Sequence, residues 1–145
     1  MNASQAMVDR LAEVEQLSID AIGTPRHGLG RFFKTHGVAM DRKDKLPKGT
    51  KLSKMANCYA NSSRAAERFG LLYAEGFAWH PNAVRPMPHA WCFDLDTLRV
   101  IDPTWEHGCD YFGIVFRTDW VERVGKATGY SGIIGNFLGD VNDAW

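Results

Sequence analysis

Between residues 71 and 116 four short segments follow one another, LLYAEGFAW, HAWCFDL, LRVIDPTW and YFGIVF, each rich in aromatic or β-branched residues and separated from the next by turn residues or proline. Segments of this length and composition read as strands, and four of them in succession predict an antiparallel sheet of about four strands. The flanking sequence has a different period. In residues 3–21, Ala6, Val8, Leu11, Val14, Leu17 and Ile19 recur at spacings nearer to three and four than to two, which predicts an amphipathic helix that stops at Gly23 and Pro25. Asn57 precedes CYANSSRAAERFG, where Cys58, Ser62, Ala65 and Phe69 recur at helical spacing and Gly70 stands where a helix would end. A late helix is expected over Thr118–Ala127 with Thr118 as its cap, while residues 27–38 and the glycine-bearing tail from Tyr130 read as irregular or short helical structure. The expectation is a single α+β domain over residues 1–145.

With 17 basic and 17 acidic residues the formal net charge is zero, so nothing global drives binding to nucleic acid or to an anionic membrane. The basic loop over residues 41–54 holds six Lys or Arg against two Asp, but it lacks the interleaved aromatics that stack on bases and reads as a solvated connection. Asp9, Glu13 and Glu15 stand where a secretion signal needs an apolar run, and no stretch approaches the length of a membrane span. These features predict a cytoplasmic protein without nucleic-acid or membrane partners. Three cysteines, Cys58, Cys92 and Cys109, suit a reducing compartment and direct attention to thiol chemistry or metal binding.

Three residues in the middle of the chain can be combined. Cys58 falls in the first turn of its helix, where the positive end of the dipole favours a thiolate, and a neighbouring imidazolium would add to that effect. A hairpin turning about Leu95 and Asp96 opposes His89 to Asp102, Trp91 to Val100 and Phe93 to Leu98. Opposed residues share a face at a Cβ separation of roughly 4.5–5.5 Å, so the carboxylate could fix the tautomer of the imidazole. Cys58, His89 and Asp102 then supply nucleophile, base and orienting group for attack on a carbonyl. The N–H of Cys58 is one oxyanion donor, and the side chain of Asn61 or Asn57 is a candidate for the second.

NCYAN at 57–61, YAEGFA at 73–78, PHAW at 88–91 and VIDPTW at 100–105 together resemble the core of the transglutaminase-like branch of the papain-like cysteine enzymes, and in particular its small bacterial and phage members. The matching region is about a third of the chain. The resemblance implies a helix bearing the nucleophile packed on the sheet, with the catalytic roles carried by Cys58, His89 and Asp102. Hydrolases, amide-forming transferases and inactive members share that core.

Blander readings stand beside these. Cys58 could be a small buried hydrophobe, His89 a packed histidine, and Asp102 a cap for the turn that Pro103 begins. Trp79, Trp91 and Trp105 flank the site as candidates for an apolar substrate cleft, or pack in the core. Glu75 reads as a solvent-facing residue rather than a partner for Arg68. His80 and His107 lie in loops near strand ends. A zinc site built from His89, Cys92, His107, Cys109 and Cys58 is disfavoured, because residues three apart on a strand point to opposite faces. No metal or cofactor is expected. The function expected is cysteine-dependent acyl chemistry through a thioester, as hydrolysis by a peptidase or amidase acting on a peptide, protein or small amide. Acyl or glutaminyl transfer is the alternative, and a silent protein-binding module with a host or cellular partner is the rival from another class.

Overall fold

In the computed structural model the described residues are 37–42, 46–48, 57–129 and 131–133. The helix expected over residues 3–21, most of the basic loop and the end of the tail lie outside them. Helix α1 spans Cys58–Phe69. Its buried residues Cys58, Asn61, Ser62, Ala65 and Ala66 recur at helical spacing and make one face, small enough to lie close against a sheet. Gly70 ends it at φ 64°, the left-handed conformation in which a glycine avoids the Cβ clash, and its N–H closes on the Ala66 carbonyl.

The strands are β1 (Val38–Met40), β2 (Leu72–Trp79), β3 (Met87–Asp94), β4 (Arg99–Ile101) and β5 (Cys109–Phe116). They form one five-stranded sheet in the order β1-β5-β2-β3-β4, with every neighbouring pair antiparallel. The fifth strand is β1, which the sequence reading treated as the end of an irregular stretch. Its three residues are too few to show a period, and it exists because Val38, Ala39 and Met40 pair with Gly113, Phe112 and Tyr111 of β5. Beyond it, Arg42 makes an isolated parallel bridge with Val100, and Val100 N–H donates to the Asp41 carbonyl at 2.7 Å. The sheet therefore curls until the continuation of β1 meets β4.

Helix α2 spans Thr118–Thr128 and ends at Gly129. The expected cap is not formed: Arg117 occupies the cap position, and the Thr118 hydroxyl donates to the Leu71 carbonyl instead, tying the start of α2 to the start of β2. Trp120 stacks on Phe116 with ring centroids 5.5 Å apart.

Each face of the sheet carries its own core. One cluster gathers Tyr73, Ala90, Cys92, Ile101, Ile114 and Phe116 with Cys58, Ala65 and Ala66 of α1 and Trp120 and Val121 of α2. The other lies inside the curl and gathers Met40, Ala74, Trp91, Phe93, Val100, Trp105 and Tyr111. Burying a Val, Ile or Phe is worth about 1.5–3 kcal/mol, against at most about 0.7 kcal/mol between ordinary residues in helix propensity. Packing on the sheet, rather than propensity, therefore fixes where α1 lies. Among the described residues no helix is long and apolar enough to cross a membrane.

Candidate active site

The β3–β4 hairpin differs in register from the expectation. Phe93 pairs with Val100 and Cys92 with Ile101, so the turn is centred one residue further along, on Asp96 and Thr97. Asp94 causes the change: its carboxylate accepts the Asp96 N–H at 3.0 Å and the Thr97 hydroxyl at 3.0 Å, while Leu98 takes the left-handed conformation at φ 55°. Opposed residues move by two, which preserves faces, so His89 and Asp102 become diagonal rather than directly opposed neighbours. They still meet. His89 Nε2 lies 2.8 Å from Asp102 Oδ2, with both residues 1% exposed.

Asp102 is saturated with donors. Oδ1 accepts the backbone N–H groups of Thr104 at 2.9 Å and Trp105 at 3.0 Å, a turn that Pro103 initiates. Oδ2 accepts the Tyr111 hydroxyl at 2.7 Å in addition to His89. Burial pushes the carboxyl up, but His89, the Trp105 N–H and the Tyr111 hydroxyl outweigh it and hold Asp102 below the usual aspartate value. An ionised carboxylate can only accept, so the proton between the two residues sits on Nε2, and Nδ1 is the basic nitrogen of the neutral ring. Among the described residues no hydrogen bond reaches Nδ1. The Trp105 indole lies over the imidazole, with centroids 3.7 Å apart and planes 11° apart, and His80 meets the same indole edge-on at 5.3 Å.

Cys58 arrives from the other face of β3, in the first turn of α1 as expected and packed with Ala90 and Cys92. Strand β4 pairs only as far as Cys92 and Ile101, so Ala90 lies beyond the end of that ladder. Cys58 packs against Ala90, whose backbone N–H acts to lower the thiol's pKa, so the thiol lies close to the residue next to His89. Asn61 spans the same gap, donating from Nδ2 to the Thr104 hydroxyl at 3.2 Å. No hydrogen bond joins Cys58 Sγ to the imidazole among the described residues.

The expected depression of the Cys58 thiol is corrected by its surroundings. Burial pushes it up, the carboxylates of Glu75 and Asp102 push in the same direction, and the N–H groups of Ala90 and Tyr59 pull it down without prevailing. At neutral pH Cys58 is therefore a thiol. Cys92 is held still higher by burial, with its Sγ on the Ser62 carbonyl at 3.2 Å, so His89 and Cys92 point to opposite faces of β3.

The remaining candidates divide. Asn57 is exposed at the start of α1 and its side chain makes no cap bond, whereas Asn61 is buried and holds Thr104 and, through Oδ1, Arg64 at 2.9 Å. Trp105 covers the histidine, and Trp79 is 37% exposed at the end of β2. Trp91 lines no cleft: alternation along β3 points it into the curl, where it is fully buried with its indole N–H on Met40 Sδ at 3.4 Å. Glu75 is not on a solvent face. It is 1% exposed on the α1 side, where Oε1 accepts the Tyr73 hydroxyl at 2.7 Å and the Ile133 N–H. His80 is half-buried with Nδ1 accepting the Asn82 N–H, and His107 is exposed beside Glu106.

Arg42 and Tyr111 are the parts of the site that sequence reasoning missed. Tyr111 could have been flagged as a tyrosine at an inward position of an aromatic strand, where its hydroxyl needs a partner. Arg42 was hidden within a run of similar charges. Comparison of the chain with protein-family models, with curated proteins and with solved structures finds no match.

Proposed function

We propose that the protein is a cysteine-dependent acyl hydrolase, a peptidase or amidase working through a thioester on a transglutaminase-like, papain-like core. The observation that carries this reading is the buried His89–Asp102 pair, with four donors on the carboxylate, one residue along β3 from Ala90, against which Cys58 packs. A buried imidazole held on a carboxylate that these donors keep ionised is the arrangement a general base requires. Because burial keeps Cys58 protonated, the chemistry takes a general-base form. Nδ1 of His89 removes the thiol proton as Sγ attacks the carbonyl carbon, and Asp102 stabilises the imidazolium that results. The oxyanion of the tetrahedral intermediate is met by N–H groups at the start of α1. The imidazolium gives its proton to the leaving amine as the C–N bond breaks, leaving a thioester on Cys58. Water, deprotonated by the same Nδ1, then cleaves the thioester, releasing the acid and restoring the thiol. An amine in place of water would make the same site an acyl or glutaminyl transferase.

The absence of a bond between Cys58 and His89 favours a second reading, in which the fold is kept as a silent protein-binding module. Alkylation by iodoacetamide from pH 4 to pH 9, resolved by peptide mass spectrometry in the wild type and in His89→Ala, separates the two. The acyl reading expects Cys58 to react at neutral pH faster than Cys92, and to lose that reactivity in His89→Ala. A Cys58 as inert as Cys92, or indifferent to His89→Ala, rejects it in favour of the binding module.

A further inference from the structure

Oδ2 of Asp102 serves two donors at once, His89 Nε2 at 2.8 Å and the Tyr111 hydroxyl at 2.7 Å. The phenol oxygen is itself approached by Arg42 Nη1 at 2.9 Å. A guanidinium only donates, so it occupies the acceptor side of the phenol and leaves the single O–H proton no direction but Asp102. The same guanidinium donates to the Gly108 carbonyl at 3.0 Å and, through Nη2, to the Trp105 carbonyl at 2.7 Å. It thereby also anchors the loop whose indole stacks on His89. One side chain beyond the end of β1 thus organises both the hydroxyl behind the carboxylate and the aromatic roof of the imidazole.

We infer that Tyr111, seated by Arg42, is a positioning residue for the acyl chemistry proposed above, on which this inference rests: it holds Asp102 Oδ2 against His89 Nε2–H and so fixes the tautomer that leaves Nδ1 as the base. The competing role for Tyr111 is packing alone, because its ring also lies edge-on to Trp91 at 5.0 Å. Tyr111→Phe separates these roles, since it keeps the ring and removes the hydroxyl. Asp102 would lose one of its donors, so its protonation, and with it the acidic limb of Cys58 reactivity, moves to higher pH.

The experiment measures the pH dependence of Cys58 alkylation by iodoacetamide in the full chain, together with the ¹⁵N shifts of the His89 ring, in the wild type, Tyr111→Phe, Arg42→Gln and Arg42→Lys. In Tyr111→Phe the rate on the acidic limb is expected to fall by roughly 10- to 100-fold, the range for a hydrogen bond to a charged group. The acidic limb shifts upward, and the ring nitrogens report a mixture of tautomers. Arg42→Gln, which leaves the phenol in place, moves the limb in the same direction by less, and Arg42→Lys recovers part of the loss. Should Tyr111→Phe fail to fold, the Arg42 pair still reads the effect. An unmoved limb and an unmoved tautomer in folded Tyr111→Phe and Arg42→Gln, with wild-type reactivity still lost in His89→Ala, overturn the inference and leave the acyl reading standing. Wild-type reactivity indifferent to His89→Ala overturns both.

Discussion

Tyr73 and Glu75 stand two residues apart on β2, face α1 together, and share a buried hydrogen bond of 2.7 Å in which the phenol donates to Oε1. The carboxylate also accepts the Ile133 N–H, so it fastens a segment beyond α2 to the centre of the sheet. Its charge is one of the causes that hold the thiol of Cys58 up.

Glu75→Gln keeps an acceptor oxygen and removes the charge. The Cys58 thiol should then ionise at lower pH, and the alkaline rise of its alkylation rate should move down the pH scale, while Cys109 is unaffected. Glu75→Ala leaves the Tyr73 hydroxyl and the Ile133 N–H without this acceptor and should cost about 1–3 kcal/mol for each buried group left unpaired, read from urea midpoints.

Stability should fall at both ends of the pH range, for different residues. Asp102 titrates lower in the folded protein than the ordinary value of about 3.9. Its contribution is complete above that value and is lost as the pH falls through the lower, folded one. Cys58 and Cys92 titrate higher when folded, so the unfolded chain releases their protons first, and stability declines as the pH rises past about 8.5. Urea denaturation from pH 3 to pH 10 measures both arms. Cys92→Ala should flatten the alkaline arm and leave the acidic one unchanged.

Gly76 and Gly113 are paired at the centre of the sheet, and a Cβ on Gly76 would lie 2.2 Å from the Phe112 carbonyl oxygen and 2.5 Å from Gly113 Cα. Backbone cannot yield there without opening the β2–β5 ladder, so Gly76→Ala should cost about 3 kcal/mol or more. Gly70→Ala meets no atom within 4 Å and pays only for its left-handed backbone, about 1–2 kcal/mol. Thermal denaturation of the two variants should rank them in that order.

Ser62 lies on the buried face of α1 with no partner for its hydroxyl among the described residues. Ser62→Ala removes an unpaired buried oxygen and substitutes a better helix former. A gain of roughly 1 kcal/mol is expected, measured as a higher urea midpoint at unchanged slope.

Helix α1 was legible because its small buried residues recur at helical spacing and a glycine ends it. The pairing of His89 with Asp102 was legible for a less obvious reason. The sequence reading placed the hairpin turn one residue early, because nothing marks Leu98 as a left-handed residue, yet the resulting shift of two leaves every side chain on its own face. Strand β1 was not legible, since three residues paired with a strand far along the chain carry no local signal. Glu75 was misjudged because alternation marks which residues share a face, not which face is covered, and α1 covers the one that holds Glu75. The raised thiol of Cys58 follows from the same cause: the helix start is visible in the sequence, the burial beneath it is not.

The seam between Arg42 and Val100 also bears on how the chain avoids its neighbours and on what it costs to complete the site. The two outermost strands of an open sheet offer unpaired amides to any other molecule in solution, and both are three residues long here. Asp41 takes the Val100 N–H, so the rims partly satisfy each other and little template remains for edge-to-edge aggregation. The partners are distant in the chain, so closing the seam costs more chain entropy than pairing β2 with β3, and with it come the Arg42 contacts behind Tyr111 and Trp105. The histidine and its carboxylate meet across 13 residues, whereas the Arg42 contacts behind them depend on this long-range closure, so opening the seam would leave the pair in place and strip its outer support.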